Sequence, residues 1–79
     1  MPTIDVKKAV KSASQYLSGL YRTSIGNLRV EEVEIDDDED WLITVSFVDF
    51  NDLVPERIYK TLEIDSETGD VLAMRIRDV

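Results

Sequence analysis

Apolar residues recur with two different periods along this chain, and the change between them divides it. From Thr3 to about Arg22, Val6, Val10, Ala13, Leu17 and Leu20 repeat at spacings of four and three. Ala9 and Tyr16 widen that stripe, while Lys7, Lys8, Lys11, Ser14, Gln15 and Ser18 take the opposite side. Such spacing predicts one amphipathic helix over about 3–22. Thr3 is the expected N-cap, with Asp5 in the first turn, where the helix dipole favours negative charge. Gly26-Asn27 marks the expected exit, since both residues tolerate positive φ.

Beyond Gly26 the period falls to two. Leu28 and Val30 alternate, then Val33 and Ile35 alternate in the other phase, which places a β-bulge at Glu31-Glu32. Trp41, Ile43, Val45 and Phe47 form the cleanest alternating run, and Ile58, Lys60, Leu62 and Ile64 continue it with one polar interruption. Leu72, Met74 and Ile76 complete the apolar face. The predicted strands are about 28–35, 41–49, 57–65 and 70–78, joined by Asp36–Asp40, by residues 49–57 and by "DSETGD" at 65–70. In the last link Gly69 supplies the left-handed residue that a type I turn plus bulge requires. The expected fold class is α+β, with one N-terminal helix packed on one face of a four-stranded antiparallel meander sheet, in one domain spanning 1–79. A lone helix covers about one face. By alternation, the other face carries Thr44, Ser46, Tyr59, Thr61, Glu63, Arg75 and Arg77.

Composition narrows the function classes. Seventy-nine residues bury only about 60–65% of the surface the unfolded chain exposes, so the stability margin is modest. Cysteine is absent, so neither disulfides nor thiolate zinc supplements the core, a usage suited to a reducing cytoplasm. The N-terminus lacks the apolar run of a signal peptide, and no segment approaches the roughly 20 apolar residues of a membrane span. A soluble cytoplasmic protein is expected. Residues 1–29 carry five bases and one acid, whereas residues 30–79 carry sixteen acids and four bases. The net charge of −8 repels phosphate backbones and argues against nucleic acid as a partner.

The densest charge is the run Asp36-Asp37-Asp38-Glu39-Asp40. A calcium loop of the EF-hand kind needs glycine at its sixth position and a glutamate at its twelfth. Counted from Asp36, those positions hold Trp41 and Phe47; counted from Asp38, they hold Ile43 and Asp49. Asp65 opens a similar pattern, but Arg75 and Ile76 fall where the closing acid belongs. The run therefore reads as a solvated hairpin tip, and no metal or cofactor is expected. Trp41 beside it reads as a cap on the core edge.

Histidine is absent along with cysteine, which removes the commonest general base and the most reactive nucleophile. Lys8 and Ser12 stand at helical i,i+4 spacing, where a serine–lysine dyad can be drawn, but the pair reads as part of a solvated polar helix face. Glu63 with Arg75 or Arg77 reads as a cross-strand charge pair. No enzyme is expected.

The closing segment "YKTLEIDSETGDVLAMRI", with Leu62-Glu63-Ile64-Asp65 followed by Thr68-Gly69-Asp70-Val71-Leu72, resembles the final hairpin of PepSY-type domains. These belong to a broader cystatin-like arrangement of helix and curved antiparallel sheet. The hairpin covers about a quarter of the chain, and the helix-then-meander order nearly all of it. The resemblance implies restraint or binding of a protease, although PepSY-type domains are mostly exported or attached to an enzyme. A fainter similarity, in the order strand, "VPER", strand, is to small accessory proteins of gas vesicles, whose basic ending this chain lacks. Tyrosine and arginine on the uncovered face are residue types favoured at binding hot spots. The expected function is a non-enzymatic protein-binding module, inhibitor, immunity-type or regulatory, that uses that face. The alternatives are a homo-oligomer that buries the face and a small-ligand or cation-binding domain.

Overall fold

A computed structural model describes residues 4–21, 25–50, 53–54 and 56–76. Helix α1 (Val6–Tyr21) is followed by strands β1 (Ile25–Ile35), β2 (Trp41–Asp49), β3 (Arg57–Ile64) and β4 (Val71–Ile76). The strands form one antiparallel sheet in sequence order, and the helix lies on one face of it. The α+β meander is the architecture the two periods predict.

Asp5 caps the helix. Its carboxylate accepts the Lys8 N–H at 2.9 Å and its carbonyl accepts the Ala9 N–H at 3.1 Å. Thr3 itself lies outside the described residues. A cap of this kind contributes about 1 kcal/mol. The helix meets the sheet along Ala9, Ala13 and Leu17, all fully buried, with Val10 and Tyr21 packed beside them. Positions spaced by four drift about 40° per step around the helix. Tyr16 and Leu20 lie one residue, about 100°, from Leu17 and Tyr21 and are exposed, as is Val6 in the first turn. The expected stripe through Val6, Tyr16 and Leu20 is therefore narrower than the spacing suggests. The two alanines bring the helix backbone close to the strands.

Below that row lie Ile43, Val45 and Phe47 of β2 and Leu62 and Ile64 of β3, with Ile4 completing the core. Tyr21 packs obliquely on Phe47, with ring centroids 5.1 Å apart. A fully buried side chain such as Phe47 contributes about 1.5–3 kcal/mol. The partly buried Tyr21 hydroxyl has its pKa raised, first by desolvation and then by the nearby Asp49 carboxylate and Tyr16.

Two bulges shape β1. One falls at Glu31, between the pairs Val30 with Val45 and Glu32 with Thr44, where the phase change places it. The other falls at Asn27-Leu28, with Asn27 at φ 55°. Gly26-Asn27 is thus not the helix exit. The positive φ serves a bulge inside β1, which begins at Ile25 rather than 28. A third irregularity shifts the start of β4. Val71 pairs with Ile64 and packs on the core, while Leu72 is half exposed. Of the expected run Leu72, Met74, Ile76, only Met74 packs on the core. The bulge spends one residue without changing the partner and turns Leu72 out, and Ile76, though on the helix side opposite Lys60, is 76% exposed. The expected strand residues 77 and 78 lie outside the described residues.

Both hairpin turns are tied by aspartates. Asp36 Oδ1 accepts the N–H groups of Asp38 and Asp40, each at 2.9 Å, and Glu39 takes φ 64°. The acid run is the tip between β1 and β2. Between β3 and β4, Asp65 Oδ1 accepts the N–H groups of Glu67 at 2.7 Å and Thr68 at 3.0 Å, and Gly69 takes φ 81°. These bonds hold the Asp65 carboxyl below its ordinary pKa. The two turns meet the chain ahead of the helix. Ile4 donates its N–H to the Ser66 carbonyl and accepts the Trp41 indole N–H at 3.1 Å. Ser66 in turn donates to Asp40 Oδ1 at 3.1 Å. Trp41 caps one end of the core.

Candidate functional site

Strand register assembles the face away from the helix. Thr44 of β2 stands opposite Thr61 of β3, which stands opposite Arg75 of β4. Ser46 pairs with Tyr59, and Leu42 pairs with Glu63, whose β4 partner is Ala73. Directly paired residues point to the same side of an antiparallel sheet. Thr44, Ser46, Tyr59, Thr61, Glu63 and Arg75 therefore share one face, as alternation predicts. Arg77 lies outside the described residues.

The six are not equally accessible. Thr44 and Ser46 are 4% and 0% exposed, although no helix lies over them among the described residues. Longer side chains from neighbouring strands close over the hydroxyls. Ser46 Oγ donates to Glu31 Oε2 and accepts from Arg57 Nη1 at 2.7 Å. Arg57 Nη1 also donates to the Asn27 carbonyl at 3.0 Å, and Arg29 Nε lies 3.8 Å from the Glu31 carboxylate. The belt Arg29–Glu31–Ser46–Arg57 runs across three strands and holds both β1 bulges against β2. Beside it the Thr44 and Thr61 hydroxyls are hydrogen-bonded at 2.9 Å. Arg75 Nη2 lies 3.4 Å from Glu63 Oε1, a long and partly exposed contact of the kind that contributes under about 1 kcal/mol.

The floor of the face is thus built and satisfied, and Tyr59, Thr61, Glu63 and Arg75 form its reachable surface. Glu31 and Arg57 are contributors that the alternation reading did not name. Arg57 sits two residues before Tyr59, so period two alone places it on this face. Glu31 follows Val30, which pairs with Val45 on the helix side, so alternation also places it on this face, and the bulge adds Glu32 beside it.

A second grouping joins elements distant in sequence. Asp36 and Asp40 at the β1–β2 tip and Glu63 of β3 each bring one carboxylate oxygen within 4.8 Å of the others. Three oxygens are short of the six to eight that calcium takes. Asp36 Oδ1 already accepts two backbone N–H groups, Asp40 Oδ1 accepts the Ser66 N–H, and Glu63 faces Arg75. The donor set fits turn closure better than a cation. On the helix side, Lys8 and Ser12 border an open depression, where Ser12 Oγ lies 3.2 Å from where a side-chain carbon on Gly69 would sit. That surface is shallow and solvated.

With neither histidine nor cysteine in the chain, the chemistry this face offers is hydrogen bonding and charge. The fold and the face define a small acidic α+β domain with a polar sheet surface. Compared with known proteins, the chain matches no family model, no curated protein and no solved structure. No helix among the described residues is long and apolar enough to cross a membrane.

Proposed function

We propose that this chain is a non-enzymatic protein-binding module that engages a protein partner through the sheet face bearing Tyr59, Thr61, Glu63 and Arg75. The observation that carries the reading is the layering of the face. Thr44 and Ser46 are buried and fully hydrogen-bonded beneath longer side chains. A pre-ordered floor lowers the entropy lost when a partner docks. Tyrosine and arginine side chains above such a floor suit a hot spot. The PepSY resemblance supports an inhibitory or regulatory role within this reading. Its setting is the cytoplasm, since a cysteine-free fold draws nothing from an oxidising compartment.

Tyr59→Ala with Arg75→Ala tests the face. Recovery of the native partner on the immobilised chain is expected to be lost while circular dichroism and the unfolding midpoint stay near wild type. Undiminished recovery by the folded double variant removes this face from the function. Sedimentation at micromolar concentration checks the competing homo-oligomer, which requires a dimer or larger species there.

A further inference from the structure

The outer edge of β1 carries a pattern that the open-face reading does not use. β1 is an edge strand of the described sheet. Val30, Val33 and Ile35 pair with Val45, Ile43 and Trp41, so they point to the helix side, yet they remain 42%, 40% and 49% exposed. Glu32 and Glu34 pair with Thr44 and Leu42 and point to the other side. Between residues 30 and 40 there are eight acids and no base.

Proteins usually blunt an exposed edge with charged side chains, above all lysine, with proline or with bulges. Here the bulges at Asn27-Leu28 and Glu31 disturb the first part of β1. Residues 32–35 continue in unbroken register with β2, and they read Glu-Val-Glu-Ile. This stretch is a regular edge, apolar on one side and acidic on the other. The other described edge differs. β4 carries Arg75 and no acid from Val71 to Ile76, and its register is irregular at Val71.

We infer that residues 32–35 accept an extended segment of a partner protein as a fifth strand, one in which lysine or arginine alternates with apolar residues. Its backbone continues the ladder. Its cations lie beside Glu32 and Glu34 and under the field of the acid run, and its apolar residues cover Val33 and Ile35. A second copy of this chain is opposed at the same place, because antiparallel pairing of two β1 edges sets glutamates against glutamates. The inference deepens the protein-binding reading by assigning the partner's chemistry, and it rests on that reading only in taking the ligand to be a protein.

The test uses the full chain and three synthetic eight-residue peptides. One alternates lysine with valine, one replaces each lysine by glutamate, and one keeps the lysines and valines but groups them in separate halves. Amide hydrogen exchange and chemical shifts are followed residue by residue. Trp41, the single tryptophan, sits opposite Ile35 and reports occupancy by its emission. The alternating lysine peptide is expected to slow exchange at residues 32–35 and to bind at least about tenfold more tightly than either control. Its affinity falls as salt rises, as screening requires. Glu34→Lys, at an exposed position, weakens it about three- to tenfold, the effect of turning a surface attraction into a repulsion.

No binding at millimolar peptide, equal binding of all three, or protection centred on β4 or on Tyr59 overturns the inference. So does a peptide-free dimer already protected at 32–35. Tyr59→Ala with Arg75→Ala is expected to leave the peptide's affinity unchanged. Loss of native partner recovery in that variant without peptide binding rejects the edge alone, and the reverse pattern rejects the face alone.

Discussion

Replacing Ser46 with alanine deletes one hydroxyl that is fully buried between two charged groups. Hydrogen bonds to charged partners contribute about 1.5–3 kcal/mol each when their loss leaves a group unsatisfied. Neither partner is stranded entirely. The Glu31 side chain is about one-third exposed and recovers water, and Arg57 keeps the Asn27 carbonyl. The net cost is therefore expected near the value of a single such bond, about 2 kcal/mol. A domain of this size has a total stability of roughly 4–12 kcal/mol, so the loss is a sizeable fraction. In urea, with a slope of about 1 kcal/mol/M for a small protein, the midpoint falls by about 2 M. Heating shows the same change as a melting temperature lower by roughly 10 °C. Ser46→Ala made again in a Glu31→Gln background tests whether the loss belongs to the network. The charged acceptor is gone there, so the second substitution is expected to cost about 1 kcal/mol less. A single variant within about 0.5 kcal/mol of wild type, or strict additivity in the cycle, refutes the idea that this belt holds the bulged strand.

Gly69→Ala is expected to cost about 1–2 kcal/mol, since the left-handed backbone disfavours a side chain and the new carbon lies 3.2 Å from Ser12 Oγ; chemical denaturation reads it directly. Asp65 has a lowered folded pKa, so its contribution is present above its unfolded pKa near 4 and disappears as pH falls through the folded value. Asp65→Asn should therefore differ from wild type in unfolding midpoint at pH 6 and converge with it toward pH 2; a gap that stays constant with pH contradicts the assignment. Calcium at millimolar concentration is expected to leave Trp41 emission and the melting temperature unchanged, because the Asp36, Asp40 and Glu63 oxygens already close turns or face Arg75. A saturable change abolished by Glu63→Gln would show that the three carboxylates do hold the ion.

Periodicity along the chain was enough to determine the helix, the four strands, their antiparallel order and the side of the sheet that Thr44, Ser46, Tyr59, Thr61, Glu63 and Arg75 occupy. These features depend on the local geometry of backbone and side chain, which repeats at 3.6 and 2 residues. The turn chemistry at Asp36–Asp40 and Asp65–Gly69 was equally legible, because it is written in adjacent residues. Depth was not. Alternation cannot show that Ser46 is sealed while Tyr59 is reachable, because the seal is Glu31 from one strand and Arg57 from another. Nor can it show that Asp36, Asp40 and Glu63 converge, or that Val71 displaces Leu72 in the core. Each of these depends on cross-strand register, and a bulge resets register by one residue without altering composition. The acid run illustrates the division. Sequence alone made it a hairpin tip, and only the packing of Ile4, Trp41 and Ser66 tied that tip to the helix and to the turn after β3.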